Sequence, residues 1–139
     1  MTSKLGWSCS VCGFDLFIPI GPLSVTYVGL YNDARFPGRC LVALRDHEDD
    51  FTTMSAERAH AFSDDIQVMG SVIQRVIGAD RMNYAMLGNA VPHVHAHLIP
   101  RWRTDPLPNK APWADPRPLS TLPEDEMRRI VEALRAWMP

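Results

Sequence analysis

The chain predicts an α+β fold, an antiparallel sheet of about five strands with two main helices. A β-branched and aromatic run at Val25–Tyr31 reads as a strand, followed by a more apolar one at Cys40–Leu44 and a third at Arg81–Leu87. A further run, His93–Ile99, alternates between histidine and apolar residues, which is the period of a strand. Two longer stretches, from Ser55 to Gly78 and over 122–138, instead repeat apolar residues every three or four positions. At 139 residues the whole chain fits one domain, with its core over about 25–113 and a C-terminal helix over about 122–138.

Composition excludes several roles. The net charge is −2, so no global basic field exists for a nucleic acid. Arg81, Arg101 and Arg103 lie close in sequence to the histidine row and could serve a small anion. Met1–Ser8 lacks the apolar core of a secretory leader. The apolar run Phe14–Ile20 is too short to span a membrane and contains Asp15 and Pro19. A cytoplasmic location is expected, and three cysteines in a reducing compartment are expected to stay thiols.

The chain opens on Cys9-x-x-Cys12, which reads as a redox pair, half a zinc site or two incidental thiols. His47 and His93 could complete four ligands. Val25–Tyr31 reads as a strand, Asn32–Gly38 as a turn, and Cys40–Leu44 as its hairpin partner. Asp46–Asp50 is an acidic approach to a helix. Thr53–Glu57 supplies a hydroxyl cap and an early acid. Ala59, Phe62, Ile66, Met69, Val72, Ile73 and Val76 then form one stripe, His60 falls on the polar side, and Gly78 stops the helix. Arg81–Leu87 is a strand that Gly88 and Asn89 turn back into the histidine run. From Pro100 to Pro118 six residues are proline, an ordered arm whose Trp113 either packs or stacks on a base. Ser120–Glu126 begins the second helix, whose apolar face is Met127, Ile130, Val131, Leu134 and Trp137.

On a strand, His93, His95 and His97 share one face, and Val94, Ala96 and Leu98 point into a core. Steps of two residues are roughly 6.6–6.8 Å, so neighbouring rings could flank a phosphate-sized group. Pro92 and Pro100 bracket the run. Three chemistries are open: a solvated polar face, a metal site, or phosphate chemistry with one imidazole as nucleophile.

Gly88-Asn89-Ala90-Val91-Pro92-His93-Val94-His95-Ala96-His97-Leu98-Ile99-Pro100-Arg101 resembles the signature of the histidine-triad (HIT) superfamily of nucleotide hydrolases and transferases. The resemblance implies a homodimer with joined sheets and a small nucleotide as substrate, cleaved at its α-phosphate. It implies His95 as the nucleophile, with His93 and His97 orienting it and stabilising charge. It places Asn32 on the ribose, with Asp33 as its rival, and Asn89 on phosphate. Arg35 in the same loop could clamp phosphate, and Asn83 could contact ligand. No cofactor is needed for that chemistry; a structural zinc on Cys9, Cys12, His47 and His93 is what some members resemble. Two positions depart from the pattern. Arg39 stands where a supporting histidine is expected, and Ala90 where some members carry a proton-donating serine.

Overall fold

The alternating segment enters a five-stranded sheet at His95 and runs to Arg101 between two partners, with His93 and Val94 just ahead of it. The computed structural model describes residues 6–139, so the reading of Met1–Ser8 falls mostly outside the described residues. In chain order the elements are β1 (Trp7–Ser8), β2 (Asp15–Leu16), β3 (Pro19–Pro22), β4 (Thr26–Leu30), β5 (Cys40–Leu44), α1 (Ala56–Ile77), β6 (Arg81–Ala85), β7 (His95–Arg101) and α2 (Glu124–Trp137). The large sheet runs β3-β4-β5-β7-β6, and β1 pairs with β2 in a small separate sheet. Every pairing is antiparallel. Among the described residues no helix is long and apolar enough to cross a membrane.

Register decides which face carries chemistry. Leu41 lies opposite His97 and Ala43 opposite His95. Opposed residues of an antiparallel pair share a face, so both histidines lie with Leu41 and Ala43. Val28, Leu30, Val42, Leu44, Ala96 and Leu98 face the other way, into a core closed by Phe62, Met69 and Ile73 of α1 and Val131 and Leu134 of α2. The cap at Ser55 holds, its side chain accepting from the Arg58 N–H, and Gly78 ends α1 at φ 75°, where a Cβ is disfavoured.

One buried residue of α1 is not apolar. Asp65 accepts from the backbone N–H groups of Ser24 and Val25 and from the hydroxyls of Ser24 and Thr26. That carboxylate fastens the β3–β4 turn to the helix.

Phe14–Ile20, read only as too short to span a membrane, supplies β2 and the start of β3. Three expectations need correction. The strand at 81–87 stops at Ala85, and Gly88 and Asn89 belong to a longer loop that contains His93 and Val94. Ser120 and Thr121 do not cap α2. Pro123 occupies the cap without a side-chain bond, because the Ser120 carbonyl accepts from the Ala34 N–H and the Leu122 N–H donates to Asn32. Trp137 is exposed rather than part of the apolar face, with the Arg75 guanidinium 5.4 Å from its ring.

Candidate active site and metal-binding tetrad

The first histidine is drawn away from the other two. His93 precedes β7 and is fully buried. Its Nε2 lies 2.8 Å from the Leu44 carbonyl, which can only accept, so Nε2 carries the proton and Nδ1 a lone pair. His47 presents Nε2 to the Asp49 carboxylate, so its Nδ1 also carries a lone pair. The two Nδ1 atoms face each other at 3.1 Å. Cys9 Sγ sits 3.4 Å from His47 Nδ1, and Cys12 Sγ 3.4 Å from His93 Nδ1. All four donor atoms lie within 4.8 Å of one another.

Two opposed lone pairs repel unless a cation lies between them. Tetrahedral zinc with bonds of about 2.0–2.3 Å would set its ligand atoms roughly 3.3–3.8 Å apart, close to these spacings. The outer nitrogens of both rings are held by a carbonyl and a carboxylate, as in metal-binding imidazoles. Burial opposes ionisation of Cys9, but the N–H groups of Cys12 and Val11 and the His47 ring outweigh it and bring its pKa down to about 7. Burial, together with the Cys9 sulfur, pushes Cys12 up. These four residues can therefore hold a metal ion, and they fit zinc.

The other two histidines form a pair with rings 5.6 Å apart. His95 donates from Nδ1 to the His93 carbonyl at 2.7 Å, so its Nε2 holds the lone pair. His97 accepts at Nδ1 from Arg39 Nη2 at 3.0 Å. Burial first, then Arg39 and His95, depress the His97 pKa to about 4. The Phe14 ring stands 5.2 Å from His93 and 4.9 Å from His95, and Tyr31 lies 5.9 Å from His97.

Two cavities adjoin this row. A larger one of about 880 Å³ is walled by Phe14, Leu16, Ile18, Tyr31 and Leu41, with Asn32 also lining it. No histidine lines it; Phe14 and Tyr31 form its common wall with the row. A smaller one of about 250 Å³ is lined by His93, His95, Asp49 and Leu87 among others.

The other sequence candidates separate. Asn32 reaches the larger cavity, but its Oδ1 accepts from the Leu122 N–H at 3.0 Å. Asp33 is buried against arginines and so is withdrawn as a rival for the ribose. Arg35 grips Asp33 through Nε at 3.0 Å and Nη2 at 2.9 Å, so its fork is already engaged. Asn83 accepts from Arg101 at 2.7 Å. Arg101 itself is buried and also donates to Asp105 and to the Lys110 and Leu107 carbonyls, a structural role in place of the anion contact expected. Arg81 and Arg103 line a cleft with Asp80 and Trp102 instead. Asn89 is exposed in the loop before the row. Trp113 is half exposed, edge-on to His97 at 5.7 Å. Phe14 and Tyr31 were not anticipated as site residues, and the signal for them was weak, single aromatics in apolar runs.

Residues 23–104 match the family model described as the HIT domain. The chain belongs to the HIT domain family. Solved HIT structures share its fold. A histidine triad protein from Bradyrhizobium japonicum superposes with a TM-score of 0.79 at 24 % identity, over 88 % of this chain and 90 % of that one. A diadenosine triphosphate hydrolase from Plasmodium falciparum, in complex with cyclomarin A, gives 0.69 at 14 %, over 98 % and 86 %. A zinc-bound histidine triad family protein from Mycobacterium smegmatis gives 0.64 at 22 %, over 86 % and 81 %. No curated protein matches the sequence.

Proposed function

We propose that this HIT domain is a nucleotide hydrolase or transferase that works through a nucleotidyl intermediate on His95. One observation carries the reading. The His95 Nδ1–H bond to the His93 carbonyl leaves the Nε2 lone pair as the nucleophile, pointing away from the backbone that holds the ring. Nε2 attacks the α-phosphorus of an adenosine polyphosphate or a nucleoside phosphoramidate. The bond to the leaving oxygen or nitrogen breaks, and its electron pair goes with the leaving group. Water or another acceptor then attacks the phosphorus, loses a proton, and the N–P pair returns to Nε2. His97, its proton on Nε2, is a donor for a phosphoryl oxygen.

The larger cavity suits the nucleoside, since apolar walls with a few polar groups are what such a ligand needs. Asn32 keeps its amide N–H groups for the ribose, and Asn89 is the nearby amide for phosphate. The Plasmodium falciparum structure of similar fold is a diadenosine triphosphate hydrolase, which supports this class. Cys9, Cys12, His47 and His93 would hold zinc as a closed four-ligand set that ties the N-terminal segment to the sheet. The reaction itself asks nothing of that ion. Strand β6 lies at the sheet edge with Tyr84 exposed and Met86 and Leu87 just beyond, a surface that suits a second copy. A second reading, nucleotide binding without turnover, rests on Ala90 standing where a proton donor is expected.

The test is adduct trapping. Labelled AMP should remain on the protein after quenching with an adenosine polyphosphate or adenosine phosphoramidate, and His95→Asn should lose both adduct and turnover. Turnover persisting in His95→Asn refutes the assignment. Tight AMP binding with no adduct and no turnover selects the second reading.

A further inference from the structure

The resemblance leaves open what supports the triad, because an arginine stands where the helper histidine is expected. Arg39 is 4 % exposed and directly precedes β5. Its Nη1 donates to Asp33 Oδ2 at 2.9 Å, and its Nη2 reaches His97 Nδ1 at 3.0 Å. A histidine at this place could donate or accept; a guanidinium can only donate. His97 must therefore offer a lone pair at Nδ1 and keep its proton on Nε2.

The guanidinium is also braced against rotation. Asp33, 1 % exposed, holds Arg39 on Oδ2 and is itself gripped by Arg35 through both oxygens. The Tyr31 ring covers Arg39 with its centroid 3.9 Å from Cζ. Arg39 Nε is buried without a hydrogen-bond partner, a cost accepted in exchange for aligning Nη1 and Nη2.

We propose that Arg39, braced by Asp33, is a positioning residue that fixes His97 as a neutral imidazole with its proton on Nε2, aimed as a donor beside His95. The proposal rests on the reading of His95 as nucleophile. The titratable or charged groups facing His97 are His95 on its own strand, Arg39 ahead of β5 and Tyr31 after β4, with Asp33 behind Arg39. Their combined bias agrees with the geometry, since burial, Arg39 and His95 all disfavour a charged His97.

The experiment is nitrogen-15 imidazole spectroscopy beside steady-state kinetics. In the wild-type protein His97 should show an unprotonated Nδ1 and a protonated Nε2 from about pH 5 to about pH 8. Arg39→Met keeps bulk but removes the donor. His97 should then titrate at least about one unit higher, and kcat should fall about tenfold or more with KM little changed. Arg39→His should restore part of kcat and the Nε2–H form. Should Arg39→Met fail to fold, Asp33→Asn/Arg39→Met removes the stranded carboxylate and is measured instead. A wild-type His97 protonated on Nδ1 overturns the proposal. So does a donor-less variant with an unchanged spectrum, or one with a changed spectrum and wild-type kcat. Absence of the His95 adduct in wild-type protein brings down the nucleophile reading instead, and the spectra still decide how His97 is held.

Discussion

The two ends of one histidine row have opposite surroundings. At one end His93 sits outside β7 among two sulfurs and a second imidazole, its Nδ1 lone pair turned toward theirs. At the other end His97 sits in β7 against a guanidinium, its Nδ1 lone pair answered by an N–H. Both rings are neutral acceptors at the same atom. One end gathers lone pairs and thiols that suit a cation; the other has a permanent cation built into the chain. Residue identity and spacing are therefore a poor guide to role within such a row. What faces each Nδ1 separates a ring that could hold a metal from the ring proposed as a phosphate donor, and His95 between them owes its free Nε2 to a backbone carbonyl.

The largest effect that would sharpen this contrast is at the cysteine end. Cys9→Ser/Cys12→Ser should abolish stoichiometric zinc binding, measured by metal analysis of the purified protein. If the ion is present at about a thousandfold over its Kd, losing it costs about 4 kcal/mol. That is a Tm drop of roughly 10 °C for a chain this size, matched in the wild type by a strong chelator. An unchanged metal content in the double variant would put the ion elsewhere. The His97 spectrum should not move, since no cysteine touches that ring.

The next effect belongs to the arginine end and follows from pH. The unfolded chain protonates His97 near the ordinary pKa of about 6.5, and the native protein near about 4. Between those values the unfolded state binds the extra proton, so stability falls as pH falls. The loss should approach about 2 kcal/mol by pH 4 after allowing for partial exposure. Denaturant unfolding from pH 7 to pH 4.5 reads it. His97→Gln should flatten that slope; an equally steep slope in the variant assigns the effect to other groups.

A smaller effect probes the loop that delivers Arg39. Gly38 has φ 97°, and a Cβ there would meet Ile77 Cγ1 at 2.7 Å. Gly38→Ala should cost about 1–2 kcal/mol from the left-handed backbone alone. It should also loosen the His97 tautomer without touching the cysteine end. Loss of zinc in this variant would mean that the two ends are not separate.

Much of the architecture was legible because burial follows periodicity. Ala96 and Leu98 are buried on the core face as their alternation requires, and α1 begins at its hydroxyl and stops at its glycine. The family and the metal-capable set were legible too, since both depend on rare residues at fixed spacing. What escaped was mostly polar and long-range. Pro19–Pro22 does not look like a strand, yet β3 is at the sheet edge, where a missing N–H is tolerated. Arg101 reads as an anion contact and Asp33 as a turn residue or a rival for the ribose, and Asp65 carries no signal, until their partners, distant in sequence or across a turn, are brought to them. Arg39 stood out only as a departure from the signature, and its meaning needed the 3.0 Å contact with His97.

The carboxylate of Asp65 also bears on the order in which the polypeptide organises itself. It meets the Val25 amide across 40 positions. Until the first helix docks, the bend between the outermost strand and its neighbour has donors with only water to bind. In a nascent chain that outer strand is synthesised early, yet its bend gains these bonds only once residue 65 has followed.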